Sequence, residues 1–139
     1  MEERERRIRL WFDMWLRKTD LGIAALFARD AVYTESWGPQ YKGREKIRLW
    51  FAEWNTRGTV LTWEIKQFIH TADQTVVEWY FSNQMSDGRR EEFDGISLIG
   101  WTDEGQIRSL KEFGCNLHHY DPYQNGAEPR FREGSAMWF

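Results

Sequence analysis

Glu112, in the run Lys111-Glu112-Phe113, is the acid best placed to move a proton once the strands around it are paired. Asp87-Gly88 lies between alternating apolar runs, the pattern of a two-residue hairpin loop. Counting back from that loop, Ser82 faces Phe93, Tyr80 faces Gly95 and Glu78 faces Ser97, while Trp79 meets Ile96 and Val77 meets Leu98. Thr102-Asp103-Glu104-Gly105 is a second turn, and a four-residue loop there sets Gly95 against Glu112 and Ser97 against Leu110. Neighbours along a strand point to opposite sides. One side therefore gathers Glu78, Tyr80, Ser82, Phe93, Ser97 and Glu112, with Ile99, Trp101 and Leu110 beside them. Acids and hydroxyls set into an apolar wall are the makings of a ligand pocket. Glu112 and Tyr80 would flank Gly95, which has no side chain to part them. A carboxyl with apolar walls and Glu78 nearby should have a raised pKa, which suits general acid or base work. The plainer reading is a structural Glu hydrogen-bonded to Tyr80. Tyr80, Glu78, Ser82 and Ser97 either orient a ligand or satisfy one another.

Other chemistries find little support. His118 and His119 lie just past the last strand, with Asp121 near, but adjacent side chains on an extended segment point apart and make a poor metal site. Cys115 has no basic activator beyond those histidines. There is no Gly-rich phosphate loop, zinc spacing or Ser-His-Asp pattern, so no cofactor and no metal are expected.

The elements that must position these groups are legible in the spacing. Residues 4–18 read as a helix with Ile8, Trp11, Phe12, Trp15 and Leu16 on one face. Thr19-Asp20 offers an N-cap for a second helix through Ala28, burying Leu21, Ala24, Ala25 and Phe27. Asp30 to Trp37 reads as a strand stopped by Gly38-Pro39. A third helix, Arg44 to Thr56, carries Ile47, Trp50, Phe51 and Trp54, with Gly58 beyond its end. Thr59 to Thr71 is a strand with Leu61, Trp63, Ile65 and Ile69 on its apolar side, and the three strands above follow it. The order α-α-β-α-β-β-β-β argues an α+β fold with helices on one sheet face. Trp11, Trp15, Trp50, Trp54 and Trp101 either line the cavity or fill it. Several aromatics around few polar groups suit a flat or cyclic apolar ligand.

The totals bound the rest. A chain of 139 residues makes one domain of ordinary size, and 41% hydrophobic residues allow a real core. Nine Trp and nine Phe make that core bulky. A net charge of −3 with interspersed signs gives no nucleic-acid footprint. A single Cys fits a reducing compartment, and no apolar run spans a membrane. The start, Met1 to Arg9, lacks the apolar stretch of a signal peptide, so a cytoplasmic protein is expected. The folded domain should occupy 1–120. Residues 121–139 have no period and should form an irregular tail, docked on the body or on a partner subunit through Tyr123, Phe131, Met137, Trp138 and Phe139.

Leu26-Phe27-Ala28-Arg29-Asp30-Ala31, the acidic strand end Glu35-Ser36-Trp37-Gly38, and Tyr41-Lys42-Gly43-Arg44-Glu45-Lys46-Ile47 opening a helix form a familiar series. With the element order, it resembles the SnoaL-like branch of the nuclear-transport-factor-2-like superfamily, over roughly Arg4 to Tyr120. That superfamily includes ketosteroid isomerases, limonene epoxide hydrolases, scytalone dehydratases and polyketide cyclases. The resemblance implies a cone, a curved antiparallel sheet wrapped around the three N-terminal helices, open to a small apolar molecule. It also implies a homodimer through the outer sheet face. By the register above, that face would carry Val77, Trp79, Phe81, Ile96 and Leu98.

The resemblance places Glu35 where ketosteroid isomerases hold their proton-abstracting carboxylate. The oxyanion-holding Tyr of that family corresponds to Trp11 and its neutral acid to Ser97, so an enolate would be poorly held and steroid isomerisation is disfavoured. Limonene epoxide hydrolases carry a catalytic carboxylate near the place of Glu112. Their partner Arg and Asp on the third strand are replaced here by the region of Glu78 and Tyr80. The expectation is a cofactor-independent isomerase, hydratase, dehydratase, hydrolase or cyclase acting on a hydrophobic ligand. Glu112 and Glu35 would be acid and base, and Tyr80 a hydrogen-bond donor. The alternative is an apolar-ligand binder or dimerisation module of the same fold.

Overall fold

The computed structural model describes residues 1–132. Helix α1, Glu2–Arg17, has acids in its first turn and Arg17 in its last, as the helix dipole favours. Lys18 takes a left-handed conformation, φ 56°, and closes the helix with bonds from Lys18 N–H to Trp15 O and Thr19 N–H to Met14 O. Ile8, Trp11, Phe12, Met14 and Trp15 are buried. The N-cap of α2 is Gly22 rather than Thr19 or Asp20, though Asp20 Oδ1 accepts from the N–H groups of Gly22 and Ile23. The helix spans only Ile23–Leu26 and buries Ile23 and Leu26, while Leu21, Ala24 and Ala25 are exposed.

Strand β1, Phe27–Thr34, therefore begins three residues earlier than its apolar run suggested. Phe27 is drawn into the sheet because it pairs with Ile107 of the last strand. A turn at Glu35 to Pro39 leads to a short strand β2, Gln40–Lys42, which the sequence did not announce. Helix α3, Arg44–Arg57, buries Ile47 and Phe51 and leaves Trp50 and Trp54 at the edge of the core. The long strands follow: β3 Gly58–His70, β4 Gln74–Met85, β5 Arg90–Trp101 and β6 Ile107–Cys115. The six strands form one mixed sheet in the order β2-β1-β6-β5-β4-β3, with β1 parallel to β6 and the other pairs antiparallel. The expected α+β order is present, with β2 added.

Strand β3 departs from simple alternation. Bulges between Val60 and Thr62 and between Ile65 and Gln67 reset its phase. Val60 and Trp63 consequently face the core, while Leu61 and Ile69 are exposed.

The β4–β5 hairpin corrects the expected register by one residue. Its loop is Ser86-Asp87-Gly88: Met85 N–H donates to Arg89 O and Gly88 N–H to Met85 O. Gly88, at φ 90°, supplies the left-handed residue of a three-residue loop. Trp79 is now opposite Gly95, Tyr80 opposite Asp94 and Val77 opposite Ser97. A shift of one residue exchanges the two faces of a strand relative to its neighbour. Val77, Trp79 and Phe81 thus join Phe93, Ser97 and Ile99 on the inner face, and Val77 and Trp79 are at most 1% exposed. They are not on the outer face. Glu78, Tyr80 and Ser82 move to the outside, beside Asp94, Ile96 and Leu98. At the next hairpin Ser97 pairs with Glu112 and Ile99 with Leu110, two residues from expectation. An even shift preserves the face, so Glu112 stays inside.

Gly95 is required where it stands. A Cβ there would lie 2.5 Å from the Trp79 ring and 2.6 Å from Phe113 O. Its absence lets Trp79 lie flat across the strand and donate from Nε1 to Ser97 Oγ at 3.0 Å.

Residues 121–132 form turns closed on themselves: Arg130 N–H donates to Pro122 O, and the Arg132 guanidinium lies over the Tyr120 ring. Tyr123 is exposed. Met137, Trp138 and Phe139, expected to dock the tail, lie outside the described residues. Among the described residues no helix is long and apolar enough to cross a membrane.

Candidate functional site

The inner sheet face, α1 and α3 enclose a cavity of about 120 Å³. Helical spacing aims Trp15 of α1 and Trp50 and Trp54 of α3 into it. Trp15 packs edge-on to Trp54 at 5.4 Å and tilted to Trp50 at 4.9 Å. The sheet supplies Trp63, Trp79, Phe81 and Phe93, of which Trp63 and Trp79 meet edge-to-face at 5.7 Å. Asn83 and Glu91 complete the sheet side, and Ser36 and Trp37 of the turn after β1 the rim. Trp37 is 78% exposed, which marks the mouth.

Two carboxyls enter this aromatic space. Glu112 comes from β6 and Glu35 from just past the end of β1, and both line the cavity. Strand alternation places Tyr33 and Glu35 on the side of β1 that faces inward. Tyr33 is fully buried and donates its hydroxyl to Glu112 Oε2 at 2.5 Å. Trp11 Nε1–H lies 3.4 Å from the same Tyr33 oxygen, a long contact that orients the hydroxyl from behind. Among the described residues Glu112 Oε1 has no hydrogen-bond partner, so it is left for a ligand. Tyr41 of β2 donates to Glu35 Oε2 at 2.8 Å and stacks on Trp50 at 4.5 Å.

Burial sets the electrostatics. The Glu112 carboxyl is pushed up to about 8, chiefly by desolvation and further by the Glu35 charge, against the opposing pull of the Tyr33 hydrogen bond. Glu35 is also raised by desolvation, with hydrogen bonds from Tyr41 and Trp37 working the other way. Tyr33 is raised well above the phenol range by burial and then by Glu112, so it acts as a donor only. Near neutrality Glu112 is mainly the neutral acid. Two carboxyls in unequal surroundings, one held protonated, are the setting for paired acid and base roles.

The structure brings five of the expected residues to the cavity: Glu112, Glu35, Trp15, Trp50 and Trp54. Trp11 lies one layer below, against Tyr33. Ser97 is buried and spent on Trp79. Trp101 is buried away from the lining, donating from Nε1 to Thr75 Oγ1 at 2.9 Å. Tyr80 is a correction: it lies on the outer face and donates to Glu92 at 2.6 Å, so it cannot serve Glu112. Glu78 and Ser82 share that face, where Glu78 accepts from Gln67 and Ser82 pairs with Glu92. Nor does Glu78 contribute to the raised pKa of Glu112, for which Glu35 is the charge that matters. Tyr33 and Tyr41 were missed, although the alternation Ala31, Tyr33, Glu35 carried the signal for the first. Asn83 was missed through the register error, and Glu91 was missed although it shares the parity of Phe93. Cys115 Sγ sits 3.7 Å from His119 Nε2 in the exposed strand end, and no group of three metal-ligating side chains occurs among the described residues.

Comparison with known proteins agrees with this fold. Residues 8–110 match the SnoaL-like domain family. No curated protein matches the sequence. Among solved structures, a ketosteroid isomerase-like fold from Catenulispora acidiphila, in complex with trimethylamine, is similar at a TM-score of 0.69 and 20% identity, over 80% of this chain and 85% of that one. An LEH-like epoxide hydrolase from M. tuberculosis is similar at 0.72 and 13% identity, over 82% and 84%. An NTF2-like protein of unknown function from Burkholderia pseudomallei is similar at 0.69 and 14% identity, over 83% and 92%. At these identities the likeness is one of fold.

Proposed function

Since the chain belongs to the SnoaL-like domain family, we propose that it is a cofactor-independent enzyme performing acid–base chemistry on a small, largely apolar molecule inside the cone. The observation that carries this reading is the Tyr33–Glu112 pair facing Glu35 across an aromatic cavity. Glu112 Oε1–H donates a proton to a substrate heteroatom, and Glu35 removes one from carbon or from an attacking water. Tyr33 holds Glu112 in place and stabilises the carboxylate left behind. Isomerisation, hydration, dehydration, epoxide opening and cyclisation all fit this exchange of one proton in and one proton out. The cavity suits a substrate or substrate portion near the size of benzene, which an engineered apolar cavity of about 150 Å³ accommodates.

The experiment is incubation with a panel of small ketones, epoxides and unsaturated alcohols in deuterated water. Mass spectrometry would read deuterium incorporation or product. Glu112→Gln should abolish any change seen with the unsubstituted protein while leaving its circular dichroism intact. Persistence of turnover in that variant removes Glu112 from the mechanism.

A second reading, a non-catalytic binder, draws on the engagement of Ser97 by Trp79 and of Trp11 by Tyr33. Neither group is free to hold an oxyanion. Ligand retention without chemistry across the panel would favour it.

A homodimer through the outer sheet face is also proposed, with a revised contact set. Val76, Ile96 and Leu98 are half-buried there, and Phe113 is 42% exposed. A second copy would cover this apolar strip, which the Lys66–Asp94 and Tyr80–Glu92 pairs border on one side.

A further inference from the structure

The cavity has a one-sided charge. Among the described residues its lining holds Glu35, Glu91 and Glu112 and no Lys, Arg or His. The other walls are mainly ring faces and edges, from helix and sheet alike. Aromatic faces carry negative quadrupole potential and attract cations, most strongly when water is excluded. An acidic cluster alone says little, but three lining residues also carry buried polar atoms without a partner: Asn83 Oδ1, Trp15 Nε1 and Trp63 Nε1. Asn83 is 5% exposed, and its amide nitrogen is turned toward Glu91 Oε1 at 3.5 Å, which leaves the oxygen as an unused acceptor. Buried polar atoms are normally satisfied, so these await a ligand that brings both a donor and an acceptor.

We propose that the cavity binds a small organic cation, an alkylammonium group held against the Trp rings and carboxyls, with a hydroxyl or carbonyl that meets Asn83 and the indole N–H groups. This rests on the acid–base reading of the site and names its ligand class. Glu35 and Glu91 offer the cation its charge partners, and Glu112 stays the neutral acid beside it. The groups that act on Glu112 are Tyr33 from β1, Glu35 just past its end and Tyr41 from β2; Glu91 of β5 lies elsewhere in the lining, to which α1 and α3 contribute only Trp.

Choline and 3,3-dimethylbutan-1-ol test this, because they share shape and hydroxyl and differ by one charge. Titration calorimetry at pH 7 should show choline binding at least tenfold more tightly than the alcohol. Glu91→Gln should weaken choline and leave the alcohol unchanged. Equal affinities, tighter binding of the alcohol, or no binding of choline at millimolar concentration overturns the proposal. A carbon-13 titration of the Glu112 carboxyl separates the two readings. A midpoint near 8 without cation preference removes only the ligand class, and a midpoint in the ordinary carboxylate range removes the acid–base site itself.

Discussion

Tyr33 donates its hydroxyl to Glu112 Oε2 at 2.5 Å, and does so from full burial, across the parallel β1–β6 pairing. The bond favours the ionised carboxyl while the surroundings favour the neutral one, and the surroundings win. Tyr33→Phe removes the opposing pull. The Glu112 midpoint should therefore move further up, and the fold should lose about 1 kcal/mol with the hydrogen bond. Carbon-13 titration and urea unfolding read the two effects. A downward shift would mean that Tyr33 is not the partner that matters.

Glu112 also makes stability depend on pH. In the unfolded chain its carboxyl releases its proton near 4.5, and in the folded chain near 8. Between those values the folded state binds more protons than the unfolded state. Stability contributed by this group is complete below pH 4.5 and falls as pH rises toward 8, by at most about 1.4 kcal/mol per unit. Glu112→Gln should flatten this slope and be the more stable protein at pH 8. Urea melts of both proteins from pH 5 to 8.5 check the sign; Glu35, raised in the same direction, leaves a smaller slope in the variant.

Gly95→Ala should destabilise by about 1–3 kcal/mol, the cost of overpacking. Its methyl would meet the Trp79 ring on one side and the backbone of Phe113 on the other, and backbone cannot step aside. Displacing Trp79 would also break its bond to Ser97 and reshape the cavity wall. A thermal melt and a choline titration together report both losses.

Trp37→Ala should separate binding from folding. The side chain is largely exposed, so stability should change by less than about 0.5 kcal/mol. As part of the cavity mouth it should cost ligand affinity several-fold. Unchanged affinity would exclude Trp37 from the site.

Leu98→Arg places a charge in the centre of the outer strip without touching the cavity. If the dimer forms through that face, light scattering should show a monomer that keeps its Glu112 titration. A dimer surviving this change would have to form elsewhere.

Much of the architecture could be read from spacing alone, because α1 and α3 keep their apolar positions on one face and β4 and β5 alternate along most of their length. Glu112 was found because the error at its hairpin was even. Tyr80 was misplaced because the error at the Asp87-Gly88 hairpin was odd, and one residue of loop exchanges inside for outside. Whether Ser86 belongs to strand or loop depends on its N–H, which donates to Arg57 O across the chain, a tertiary fact that local sequence does not hold. The bulges of β3 are equally non-local, and they hid Val60 and exposed Ile69. Tyr33 was overlooked for another reason: its partner is on a strand 79 residues away, reached by the β1–β6 pairing.

The packing of indoles around the cavity makes the protein its own spectroscopic probe. Trp15, Trp50 and Trp54 meet at 4.9–5.4 Å, and Trp63 and Trp79 at 5.7 Å, at steep mutual angles. Transition dipoles this close and this skewed couple as excitons, which gives the folded chain strong signals of opposite sign in the near ultraviolet. Anything entering the cavity must pass among these rings and alter their coupling. Occupancy can therefore be followed without a label, and a ligand invisible to every chemical assay would still leave its mark in that spectrum.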